Sequence, residues 1–87
     1  MRFFVIAALL LAGTPALAGP HCTNEPQSAW LTEQQLMQHI APLGHQVDVF
    51  KVTDGNCYEI YGRDAEGKRI EVYFHPVTGK VVKTSSL

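Results

Sequence analysis

The stretch Asn56–His75, NCYEIYGRDAEGKRIEVYFH, decides how this chain folds. Two runs of alternating residues flank Ala65-Glu66-Gly67. Side chains alternate between the faces of a strand. Tyr58, Ile60 and Gly62 therefore share one face of the first run, and Ile70, Val72 and Phe74 share one face of the second. Bringing these sets together pairs Tyr58 with Phe74, Ile60 with Val72 and Asp64 with Lys68. The loop that remains ends in Gly67, which suits a three-residue hairpin with glycine in the left-handed position. The opposite face then pairs Glu59 with Tyr73, Tyr61 with Glu71 and Arg63 with Arg69. A slip of one residue would mix the two faces, so the register is well specified. One face is apolar and the other charged and aromatic, the pattern of a half-covered antiparallel sheet.

Working outward, Pro76-Val77-Thr78-Gly79 reads as a turn, with proline pre-setting the first loop angle and Gly79 free to take positive φ. Lys80-Val81-Val82-Lys83 then returns as a last strand. His75, directly before the proline, reads as a residue flanking that turn. On the other side, Asp54-Gly55-Asn56 is turn chemistry. Gln46–Thr53 is rich in β-branched residues, and its alternation slips at Val49-Phe50, the mark of a bulge.

Ahead of the strands comes WLTEQQLMQHIAPLG, Trp30–Gly44. Thr32 and Gln35 fit a capping box, and Leu31 and Leu36 are placed for a hydrophobic staple. Leu36, Met37, Ile40 and Leu43 recur at helical spacing. Gly44 is a suitable residue just past the helix end. Pro42 cannot donate to the Gln38 carbonyl, so a helix over Glu33–Ala41 should end irregularly. The fold class is α+β: one N-terminal helix packed on an antiparallel β-meander of three to four strands, within residues 30–87. Residues 19–29, with prolines at 20 and 26, read as an extended lead-in held down by Cys22.

Residues 1–18 have the form of a secretory signal peptide: Arg2, an apolar run from Phe3 to Ala12, then Ala16-Leu17-Ala18. Cleavage is expected between Ala18 and Gly19. The apolar run falls short of the roughly 20 residues that span a bilayer, so a periplasmic or secreted protein is expected, with no membrane contact after cleavage. Setting Arg2 aside leaves six Lys/Arg against eight Asp/Glu. A nucleic-acid binder would carry a basic face, and none is expected here.

Cys22 and Cys57 have neither the C-x-x-C spacing of a redox pair nor the paired spacing of a zinc site. Export to an oxidising compartment favours a structural disulfide. Closing a loop of this length contributes about 3.8 kcal/mol in the chain-entropy description. A domain this small gains much from such a staple.

Several stretches together resemble the PepSY-domain family, in particular its small exported single-domain members. They are WLTE at Trp30–Glu33, GNCYE at Gly55–Glu59, DAEGKR at Asp64–Arg69, EVY at Glu71–Tyr73 and PVTGKVV at Pro76–Val82. The resemblance runs from about Cys22 to Lys83. It implies a helix packed on an antiparallel sheet, and it implies the Cys22–Cys57 pair. PepSY domains occur in propeptides of secreted metallopeptidases and as stand-alone exported proteins, so it further implies a peptidase-inhibitory or regulatory role. The family commonly has Asp before the turn proline, where this chain has His75.

No residue set reads as catalytic. Ser28, Ser85 and Ser86 lack a glycine-framed elbow. Glu59 and Glu71 share a sheet face that is expected to be solvated, near Arg63 and Arg69. His21, His39, His45 and His75 lack a second ligand at metal-binding spacing, so no metal and no cofactor is expected. Trp30, Tyr58 and Phe74 are expected in the core. So short a chain is expected to act through a surface, having no pocket-sized volume to spare. The expected function is a non-enzymatic binding module for a protein partner, such as a peptidase. Its candidate partner-binding face is Tyr61, Arg63, Arg69, Glu71 and Tyr73. The alternative is an envelope accessory protein that binds a small ligand or metal ion.

Overall fold

The computed structural model describes residues 19–87. The expected signal peptide lies outside the described residues. Helix α1 spans Glu33–Ile40, and four strands follow: β1 Gln46–Val52, β2 Tyr58–Arg63, β3 Arg69–Phe74 and β4 Val81–Ser86. They form one antiparallel sheet in the order β1-β2-β3-β4. The expected class, α+β, is observed, with the full four strands. The helix is mid-chain and not N-terminal: the lead-in that precedes it is itself structured, with a 3-10 turn at Gln27–Ala29. Among the described residues no helix is long and apolar enough to cross a membrane.

The β2–β3 register is the one the alternation dictates, from Tyr58 opposite Phe74 to Arg63 opposite Arg69. Asp64 N–H donates to the Lys68 carbonyl, and Gly67 takes φ 88°. The Asp64 carboxylate caps the hairpin by accepting from the N–H groups of Glu66 and Lys68. The β1 bulge falls at Asp48, just ahead of the expected position, since Val47 faces Gly62 and Val49 faces Tyr61. That extra residue lets Val47 and Phe50 both turn inward, while Val49 is left exposed.

The capping box of α1 is complete: Gln35 N–H donates to Thr32 Oγ1, and Thr32 N–H donates to Gln35 Oε1. The helix lays Leu36 and Ile40 onto the sheet, where they join Tyr58, Ile60, Ile70, Val72 and Phe74 in one buried cluster. Each such side chain contributes about 1.5–3 kcal/mol through burial. Trp30 packs edge-on against Tyr58 at 5.5 Å and is only partly buried. Pro42 converts the last turn to 3-10 geometry over Ala41–Leu43, and Gly44 closes it at φ 77°. This tightening swings Leu43 off the apolar stripe, leaving it 45% exposed against expectation.

Cys22 and Cys57 form a disulfide. Cys57 has the same strand parity as Glu59 and Tyr61, so the bond lies on the face of the sheet away from the helix. It straps the lead-in across that face. Cys22 N–H donates to the Gly55 carbonyl, and Asn56 Nδ2 donates to the Thr23 carbonyl. Gly55 permits the crossing, because a Cβ there would stand 2.2 Å from the Pro20 carbonyl oxygen.

Candidate binding recess on the outer sheet face

β2 is an inner strand, so each of its outer-face residues has strand neighbours on both sides. Glu59 lies between Lys51 on β1 and Tyr73 on β3, with Cys57 and Tyr61 before and after it on its own strand. These long side chains enclose it, and Glu59 is only 3% exposed. The expectation of a solvated carboxylate is therefore corrected. Burial is the main cause that holds the Glu59 carboxyl above the ordinary range, and Glu71, diagonal to it on β3, adds to it. Glu71 moves the opposite way, chiefly through its interaction with Glu59.

Two tyrosines complete the cluster. Tyr73 donates to Glu71 Oε2 at 3.0 Å, and its own hydroxyl is held well above the usual phenol range, by burial first and Glu71 second. Glu71 and then Glu59 push the Tyr61 hydroxyl up to about 12. Lys51 supplies the nearby cation, with Nζ 4.0 Å from Glu59 Oε1 and 5.3 Å from the Tyr61 ring centre. The other oxygen, Glu59 Oε2, is buried with no hydrogen-bond partner.

Above these groups is a half-open recess of about 300 Å³, lined by Lys51, Val52, Thr53, Asp54, Glu59, Tyr61, Glu71 and Tyr73. The expectation that the chain had no pocket-sized volume is thus also corrected. A second recess, of about 250 Å³, opens beside Trp30, Val52 and Tyr58.

Of the residues that the sequence singled out, Tyr61, Glu71 and Tyr73 come together here. Arg63 and Arg69 do not line the recess; they pair at the far end of the hairpin, where Arg63 donates to the Gly67 carbonyl. Glu59 was placed on this face but read as solvated, and Lys51 was missed as a site residue. Strand parity places Glu59 on this face, since it alternates with Cys57 and Tyr61, whereas Lys51 follows only from the β1 register.

His75 caps its turn. Its Nδ1 accepts from the N–H groups of Val77 and Thr78 at 3.2 and 3.4 Å, as an aspartate oxygen would. Among the described residues no group of three or more His, Cys, Asp or Glu is arranged to hold a metal ion.

The model of the peptidase propeptide and YPEB domain, PepSY, matches residues 2–85. The chain belongs to the PepSY family. No curated protein and no solved structure matches it. Membership agrees with the helix-on-meander architecture and with a regulatory or binding role of the propeptide kind. The strapped outer face with a buried glutamate is this PepSY chain's own geometry, read from its residues.

Proposed function

We propose that this is an exported, non-catalytic PepSY module that binds a protein partner through its outer sheet face, with a peptidase as the class that propeptide kinship favours. The observation that carries the reading is the recess itself, where three carboxyl groups and two tyrosines line one half-open volume. Tyrosine is enriched among residues that anchor protein interfaces. The sheet edges are poorer candidates for receiving an added strand. β1 carries a bulge at Asp48 together with Lys51, and β4 carries one at Val82 together with Lys83. Bulges and lysines are devices that discourage edge pairing.

The test is partner capture from the periplasm by wild type and two variants. Tyr61→Ala alters the outer face at a half-buried position and leaves the buried Tyr73 in place. Val82→Pro alters the β4 edge at its bulge, where proline is tolerated. Loss of capture in Tyr61→Ala and retention in Val82→Pro is the expected result. The reverse pattern would move the site to the edge.

A further inference from the structure

We propose that the recess binds one primary ammonium group, the lysine side chain of a protein partner, with Glu59 as the acceptor. The partner's identity as a protein rests on the function proposed above; the ammonium chemistry rests on the recess. Two carboxyl groups side by side would be an unremarkable acidic pair on an open sheet. Glu59 differs, because its side chain is 4% exposed and Oε2 has no partner at all. A buried carboxylate oxygen left unpaired is costly, and the cost is removed by a donor that reaches it.

Every charged or titratable group around it bears on what that donor is. From β1 and its turn come Lys51 and Asp54, from β2 Tyr61, and from β3 Glu71 and Tyr73. Lys83 of β4 stands across from Tyr73 and lowers Glu71. The lining thus offers three carboxyl groups and two phenols against one lysine, so an anion is disfavoured and a cation favoured. An ammonium carries three donors, enough for Glu59, Glu71 and one tyrosine oxygen. The volume of about 300 Å³ admits an alkyl chain with an ammonium tip. The Tyr61 ring flanks the opening and can face a cation, as it already faces Lys51 at 5.3 Å.

Lys51 is the incumbent. Its contact with Glu59 is long at 4.0 Å, its side chain is 52% exposed, and it reaches Oε1 while Oε2 stays bare. A partner lysine entering the recess displaces Lys51 toward solvent and closes the unpaired contact. Binding requires Glu59 in its ionised form, which an arriving ammonium favours and burial alone opposes.

The exported protein, with its disulfide formed, is titrated with N-acetyl-lysinamide while the ring resonances of Tyr61 and Tyr73 are followed by NMR. N-acetyl-norleucinamide is the neutral control, and alaninamide presents an N-terminal amine instead of a side chain. Saturable shifts with the lysine probe and none with norleucine are expected. Glu59→Gln, which keeps the shape, should weaken binding at least tenfold with an unfolding midpoint no lower than wild type. Lys51→Met should tighten it several-fold, and affinity should fall as pH drops into the range where Glu59 takes up its proton. A saturable response to alaninamide that exceeds the lysine response keeps the ammonium and assigns it to a partner's N-terminus. Equal responses to lysine and norleucine, or no response even in Lys51→Met, would overturn the proposal. Those failures leave partner capture itself untouched, because no partner enters the titration.

Discussion

Gly19 rests on the ring of Tyr73: a Cβ at that glycine would stand 2.7 Å from Cε2 and 2.8 Å from the hydroxyl oxygen. The first described residue of the chain therefore packs on the third strand. The lead-in is part of the outer face, where it covers the Tyr73 ring. Its seat at Gly55 is equally tight.

Gly55→Ala should lift the lead-in from the turn it crosses. The added methyl meets backbone and cannot be accommodated by a side-chain rotation, so a cost of about 1–3 kcal/mol is expected. Gly67→Ala is the contrasting variant. It meets nothing within 4 Å but sits at φ 88°, and should cost about 1–2 kcal/mol from the backbone alone. Urea unfolding of both variants checks the pair, and only Gly55→Ala should also raise solvent exposure of Tyr73.

The exported protein should begin at Gly19 and show no alkylatable thiol before reduction, as read by intact mass. Replacing Cys22 and Cys57 with serine should cost about 3–4 kcal/mol in denaturant unfolding. The same double variant should loosen the strap and bring the Glu59 carboxyl back toward the ordinary carboxylate range.

Stability should depend on acid in two opposed ways. Glu59 is held above its unfolded value, so the folded state takes up its proton first. Stability therefore falls as pH rises from the ordinary carboxylate range through the raised value. Glu71, lowered chiefly by Glu59, and Asp64, lowered chiefly by the Lys68 N–H, contribute stability that is complete above that range. Their contribution is lost as pH falls through their lowered values. A maximum in weak acid is expected in thermal melts, and Glu59→Gln should flatten its neutral side. Tyr61 should ionise near 12 in an ultraviolet titration, as Glu71 and Glu59 dictate.

His75→Asp should leave stability within about 0.5 kcal/mol, because a carboxylate oxygen can accept the same two turn N–H groups. His75→Ala should cost about 1 kcal/mol for the lost cap. Thermal unfolding of the two variants separates a cap from a residue of no consequence.

Much of the fold was legible because its determinants are local. The β2–β3 register follows from alternation and one glycine, the helix start from Thr32 and Gln35, and the His75 turn from the proline beside it. Legibility failed where distant segments meet. Leu43 left the apolar stripe because Pro42 retightened the helix end. Gly62 could be placed on the inner face by alternation, but not its crowding: a Cβ there would stand 1.8 Å from the Gln46 carbonyl oxygen of the bulged β1. Glu59 looked solvated because the sheet face was read without its neighbouring strands, and enclosure by Lys51 of β1 and Tyr73 of β3 leaves no periodic trace on β2. Tyr61, Glu71 and Tyr73 could be gathered from parity alone, whereas their companionship with Lys51 required the β1 register.

Each strand of the meander pairs with its neighbours in sequence. Such a sheet can assemble hairpin by hairpin, and topologies rich in local contacts fold quickly. The covalent link between positions 22 and 57 is different in kind, since it joins residues 35 apart and needs an oxidant. Thiol oxidation takes seconds to hours, far longer than hairpin closure. The folding chain should therefore pass through a stage in which the sheet is built but its outer face is still bare. Pulse-labelling of thiols during refolding would show sheet signals maturing ahead of thiol protection. The speed of oxidation, not of chain folding, would then set when the lead-in is fixed across that face.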